Sequence, residues 1–190
     1  MRVRRTARSA CGAAVLVVIL FLVPTGTVTD ASGASTGSLS DASSARASIR
    51  RDLLAAINAV RAADGLLPLQ ISGELSTAAA AHSDEMLGDG YFGHNSADGM
   101  SFWRRIAAYY PLVPGYSWDV GENLLWSSPG MDASAAVAAW MRSPKHRANV
   151  LSPGWRQIGI AVIRRDGAPG VFGGHDVMVV TADFGARTAT

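Results

Sequence analysis

The sequence predicts an α+β domain in which helices cover a small antiparallel sheet. Three observations carry that prediction. Apolar residues at helical spacing dominate the first two thirds of the folded stretch. Runs rich in Val and Ile fall late, and no regular alternation of strand and helix appears. With 190 residues, 48% hydrophobic and 17% charged, the chain has enough apolar content for one core and too much for a wholly disordered protein. The length suits one domain with extensions.

The elements follow in order. Ile49, Leu53, Ile57 and Val60 recur at helical spacing, and Gly65 stops that helix after Asp64. A second helix is predicted over residues 74–87, with Leu75, Ala79, His82 and Met86 on one face and Gly88 and Gly90 ending it. Ser101 can cap a short third helix carrying Phe102, Ile106 and Tyr109, which Pro111 terminates. Asp132 can cap a fourth with Val137, Trp140 and Met141, stopped before Pro144. Strands are predicted over 120–127, 157–164 and 176–184. The folded unit occupies 48–190, with its ordered body running to about Gly185.

The N-terminal end has a different composition. Arg2, Arg4, Arg5 and Arg8 precede an apolar run over 13–23 that ends at Pro24. Spanning a bilayer takes about 20 apolar residues, so this pattern reads as a secretory signal over 1–34, cleaved after Ala31 or Ala34. The competing reading is an uncleaved anchor. Cys11, the one cysteine, lies before the apolar run, which disfavours a lipid-modified cysteine, and cleavage leaves no thiol chemistry or disulfide. Residues 35–47, rich in Ser and Ala, read as a flexible tether. The pI of about 9.0 owes much to the leader: without residues 1–34 there remain 13 basic and 14 acidic residues, a net charge of −1. Nucleic acid is therefore not an expected partner. A secreted or envelope-retained monomer is expected, with no transmembrane segment after cleavage.

Four histidines are candidates for chemistry. His82 lies on the apolar stripe of the second helix, where a half-buried histidine is the ordinary reading, and no second His gives the segment metalloprotease spacing. His94 sits in a loop leaving that helix, a place where functional side chains project. His146 follows Pro144, where the ordinary reading is a helix-terminal histidine. His175, beside Gly173 and Gly174, reads as an exposed turn residue. Among acids Glu122 stands out, because an unpaired carboxylate within an apolar strand is costly unless backbone donors or an arginine satisfy it. Strand alternation puts Glu122, Leu124, Trp126 and Ser128 on one face. There is no nucleophile elbow, Walker loop, dinucleotide fingerprint, paired-cysteine zinc motif or Ser-x-x-Lys.

Six segments resemble the CAP superfamily, the SCP-like extracellular domains, in its bacterial form. They are Ile57-Asn58-Ala59-Val60-Arg61, Tyr91-Phe92-Gly93-His94, Gly121-Glu122-Asn123-Leu124, the stretch from Trp140 through Pro144-Lys145-His146 to Leu151, Ile158-Gly159-Ile160-Ala161, and Asp183-Phe184-Gly185. The resemblance implies an α-β-α sandwich and a cavity where two histidines and acids converge, which in some members binds zinc or another divalent cation. It maps the cavity histidines onto His94 and His146 and one acid onto Glu122. Where animal members carry a second Glu, three residues after the helix tryptophan, this chain has Ser143. Two imidazoles and one carboxylate remain as an expected three-ligand metal set with open positions for water. A further family proposal, a Ser-His-Glu hydrolytic triad, would use Ser128.

Two functions are therefore expected to compete. One is a secreted, non-enzymatic binding module for a divalent metal ion, lipid, glycan or peptide. The other is a metal-dependent hydrolase or peptidase acting on peptide or cell-envelope material through His94, Glu122 and His146. The missing second acid favours binding. Trp103, Tyr109, Tyr110, Tyr116 and Trp118 surround a Pro-rich loop, and ordinary packing is the preferred account of them.

Overall fold

Two helical layers enclose one four-stranded sheet in the computed structural model, which describes residues 37–190. The predicted signal segment, 1–34, lies outside the described residues. In chain order the elements are α1 (Gly37–Ala63), β1 (Gln70–Ile71), α2 (Gly73–Asp89), α3 (Phe102–Tyr109), β2 (Tyr116–Ser127), α4 (Ala133–Arg142), α5 (Pro144–Val150), β3 (Gln157–Arg165), a 3-10 turn (Gly170–Phe172) and β4 (Val177–Ala189). The sheet order is β1-β3-β4-β2. Strands β3 and β2 both run antiparallel to β4, so the long strands form the expected antiparallel sheet. The sequence pattern did not reveal β1, a two-residue strand that pairs parallel to β3 and makes the sheet mixed at that edge.

Strand alternation sorts β4 between two cores. Met178, Val180, Ala182 and Phe184 join Leu53 and Ile57 of α1 and Trp140 of α4 in one apolar cluster. Val177 and Val179 turn the other way and pack with Met86 and Leu87 of α2. Leu75 and Ala78 of α2 close that second layer with Ile106 and Tyr110. Gly159 lets α2 lie close on the sheet, because a Cβ there would stand 2.0 Å from the Leu75 carbonyl carbon.

Several ends match the local chemistry read from the sequence. Asp132 caps α4 by accepting from the Ala135 N–H at 2.8 Å, and Gly90 closes α2 in the left-handed conformation. Gly88 is inside α2 rather than ending it. Other boundaries differ. The stretch 37–47, expected as tether, belongs to α1; its alanines are strong helix formers and its serines tolerate helix, so the helix propagates from the packed Leu53 stripe. Pro144 ends α4 but also opens α5 at a position where its missing N–H costs nothing. The aromatic group divides: Tyr110 is fully buried and donates to Gln157 Oε1 at 2.7 Å, whereas Trp103, Tyr109 and Tyr116 are exposed. Among the described residues no helix is long and apolar enough to cross a membrane.

Candidate functional site

The site forms at the edge of the sheet, because β2 is an edge strand reached by groups from both layers. On its α2–α3 side, β2 presents Glu122, whose side chain is 1% exposed. An isolated carboxylate there would be prohibitively costly. Two partners compensate it. His94 Nδ1 lies 2.8 Å from Glu122 Oε1, and the Arg105 guanidinium of α3 pairs with Oε2. Arg105 also donates to the His94 carbonyl at 2.7 Å, so one side chain holds both the carboxylate and the loop that brings His94 to it. Burial pushes the Glu122 carboxyl up, but the His94 hydrogen bond and the charges of Arg105, His82 and His94 hold it below the ordinary carboxylate range. With Nδ1–H committed to the carboxylate, His94 leaves Nε2 as its open nitrogen, and its side chain is 31% exposed.

The other layer delivers His146. Helix α5 is stitched to β2 by two asparagines. Asn123 Nδ2 donates to the His146 carbonyl at 3.0 Å, while Asn149 Nδ2 donates to the Glu122 carbonyl at 3.0 Å and to Asn123 Oδ1 at 2.9 Å. Gly121 makes this approach possible, since a Cβ there would fall 2.9 Å from Trp155 and 3.2 Å from Asn149 Oδ1. Behind α5, the fully buried Arg61 donates to the carbonyls of Val150 and Ser152 at 2.8 and 2.9 Å. Burial lowers the His146 pKa, and the charge of nearby His94 lowers it further.

A supporting cluster secures the His94 loop. His82, buried on α2, gives Nε2 to the Gly93 carbonyl at 2.9 Å and faces Glu85 with Nδ1 at 3.2 Å. Burial lowers its pKa. Glu85 in turn accepts from the Ala97 N–H and the Ser96 hydroxyl. The expected half-buried helix histidine is thus fully buried, and it braces the loop that carries His94.

Besides Arg105, a second residue escaped the sequence reading of the site. Asp183 of β4 stands directly opposite Glu122 in the ladder, so both side chains share a face. It is fully buried; as a carboxylate neither oxygen meets a donor among the described residues, and in the protonated form it can donate to Glu122. Burial first, then the Glu122 charge, push its pKa well above the usual carboxylate value. The available signal was its place among the alternating residues of an otherwise apolar strand.

The remaining sequence candidates lie elsewhere. Ser128, just past the end of β2, is six residues along from Glu122, roughly 20 Å at about 3.3 Å per residue. No hydrogen bond joins it to His94, Glu122 or His146 among the described residues. Ser143 is a buried linker between α4 and α5 without a side-chain cap bond. His175 is exposed, as expected.

Of the expected three-ligand metal set, Glu122 has both oxygens engaged, by His94 and by a guanidinium that adds positive charge beside them, which leaves the two imidazoles as the open donors.

The three-layer fold corresponds to a known family. Residues 54–180 match the model of the cysteine-rich secretory protein (CAP) family, and the chain belongs to that family. It is 31% identical over 134 residues to the uncharacterized protein YkwD of Bacillus subtilis, a match covering 70% of this chain and 49% of that relative, so it spans about half the relative's length. Among solved structures, an outer surface protein of Borrelia burgdorferi shares the fold with a TM-score of 0.57 at 21% identity, over 74% of this chain and 94% of that one. An extracellular protein of Bacillus anthracis containing an SCP domain superposes with a TM-score of 0.54 at 23% identity, over 70% of this chain and 39% of that one.

Proposed function

We propose that the protein is an exported, non-enzymatic binding module that takes a peptide or glycan of the cell envelope at the β2 edge. The observation that carries this reading is the commitment of Glu122 to His94 and Arg105. A carboxylate so engaged orients an imidazole and is not free to ligate or attack. What remains for a ligand is the Nε2 lone pair of His94, an acceptor for a ligand hydroxyl or amide N–H, and the adjacent His146. Export is supported by the basic and apolar leader and by the extracellular B. anthracis protein that shares the fold.

A second reading rests on the same dyad. A carboxylate fixing Nδ1–H with Nε2 open is also the arrangement of a general base. The test is calorimetry and product analysis with purified peptidoglycan fragments, on the wild type and a His94→Gln, His146→Gln double variant. Saturable binding lost in the variant, without bond cleavage, supports the module. Cleavage products lost in the variant support a hydrolase instead, and binding equal in both proteins overturns either role for the pair. Zinc chloride is titrated in parallel. Zinc binding abolished by the variant would return the imidazoles to a metal-holding role, with Glu122 as the group orienting His94.

A further inference from the structure

Two arginines outside the His94–Glu122–His146 cluster meet at the junction of α4 and α5. The backbone turns at buried Ser143, and Pro144 immediately starts the next helix. The turn brings Arg142, the last residue of α4, and Arg147 of α5 to one open pocket of about 420 Å³. Its other lining residues, Met141, Pro144, Ala148 and Leu151, are all apolar, so no acid lines it. Three other arginines of this protein find acceptors: Arg105 pairs with Glu122, Arg187 with Glu74, and Arg61 with three carbonyls. Arg142 and Arg147 have no ion-pair partner among the described residues.

Two guanidiniums without an ion-pair partner among the described residues, on one concave surface, concentrate positive potential there. Each presents a planar fork that matches the oxygens of a phosphate group. The apolar remainder of the lining offers nothing to a hydrated ion but fits a hydrocarbon body beside the charged group. We propose that this pocket binds a phosphoester carried on an apolar chain, with Arg142 and Arg147 on the phosphate and Met141 and Leu151 against the chain. The proposal goes beyond the binding reading at the β2 edge, since no residue of that cluster lines the pocket.

The test is titration calorimetry with octyl phosphate, inorganic phosphate and 1-octanol on the purified protein. Octyl phosphate is expected to bind at least about tenfold tighter than inorganic phosphate, with no binding of 1-octanol. An Arg142→Gln, Arg147→Gln double variant is expected to lose at least about tenfold in affinity, the scale of a lost charge-assisted contact. An Arg142→Lys, Arg147→Lys variant keeps the charge and is expected to lose less. Both arginines are exposed, so the variants should fold, which circular dichroism checks. Absent octyl phosphate binding, or binding unchanged in the Gln variant, overturns the site. Equal binding of inorganic and octyl phosphate overturns the apolar half of the proposal and identifies free phosphate as the ligand. The His94→Gln, His146→Gln protein serves as control and is expected to bind octyl phosphate normally, which separates this proposal from the reading of the β2 edge.

Discussion

The two faces of β4 are equally buried and differ in how that burial is made tolerable. On one face Met178, Val180, Ala182 and Phe184 join an apolar cluster with α1, α4 and the sheet, and Asn123 opposite Ala182 is a polar neighbour there. On the other, Val177 and Val179 begin in the same manner, but Thr181 then pairs with Ser83 of α2 at 2.8 Å, and Asp183 ends the series opposite Glu122. The first face is stabilised by removing hydrocarbon from water, which needs no particular partner. The second holds together because Arg105, from a different helix, arrives with a compensating charge. A non-directional force builds the frame, and a directional one builds the site.

That contrast breaks if truncations on the two faces behave alike. Arg105→Ala leaves Glu122 buried beside an uncompensated Asp183 and releases the His94 loop, so a loss of about 3–5 kcal/mol is expected, as for other broken buried pairs. Phe184→Ala should cost a similar 3–5 kcal/mol or so by cavity formation. Their pH dependence separates them. The Glu122 carboxyl is held below its ordinary value in the folded protein, so its contribution is present above the unfolded value of about 4.3 and is lost as pH falls through the folded one. Arg105→Ala should therefore be most damaging at neutral pH and progressively less so in acid, whereas the Phe184→Ala penalty should stay flat. Denaturant unfolding between pH 3 and 8 measures both. An Arg105→Ala penalty that ignores pH would mean that packing, not charge, is what Arg105 contributes.

Asp183→Asn sharpens the comparison from the opposite direction. The folded protein holds this carboxyl in its protonated form to a higher pH than the unfolded chain does. Above about pH 4 the unfolded chain thus binds fewer protons, and stability falls as pH rises toward the folded pKa. An amide of the same shape removes that drain. The variant is expected to match the wild type near pH 4 and to exceed it by a margin that grows as pH rises toward 8. A variant less stable than the wild type at every pH would show that the Asp183 oxygens have a partner that the amide cannot replace.

The same division governs what the sequence disclosed. Helical spacing located Leu53 and Ile57, and the Val-rich run located β4, because apolar burial writes a period into the chain. Glu122 was visible as an acid in an apolar strand. Arg105 was not, since Arg104-Arg105 at the start of a short helix looks like two solvated charges. In the fold Arg104 lies exposed over Trp103 while its neighbour turns inward. Asp183 was equally hidden as a residue with a task, because its significance depends on which strand lies beside β4. The resemblance to CAP domains singled out His94 and His146 as candidates without revealing that Glu122 would already be engaged by Arg105. Ser128 falls where a family serine would be and Ser143 where a second Glu would be, and among the described residues neither joins the cluster by a hydrogen bond.

A modest effect is expected at the seam where the two kinds of interaction meet. Asn149 is part of α5, which carries His146, and its amide donates to both the Glu122 carbonyl and Asn123 Oδ1. Asn149→Ala removes two neutral hydrogen bonds while leaving Trp155 Nε1 on the Asn149 carbonyl and Arg61 on the carbonyls beyond it. A loss of about 1–2 kcal/mol is expected, at roughly 1 kcal/mol per bond. The informative readout is His146 rather than stability. Burial lowers its pKa only while α5 is held against β2, so a loosened helix should let that pKa rise toward the ordinary histidine value. Histidine proton resonances followed through a pH titration measure it directly. If the His146 titration stays where it is in the wild type, Trp155 and Arg61 suffice to hold α5, and the asparagine pair contributes stability without positioning the imidazole.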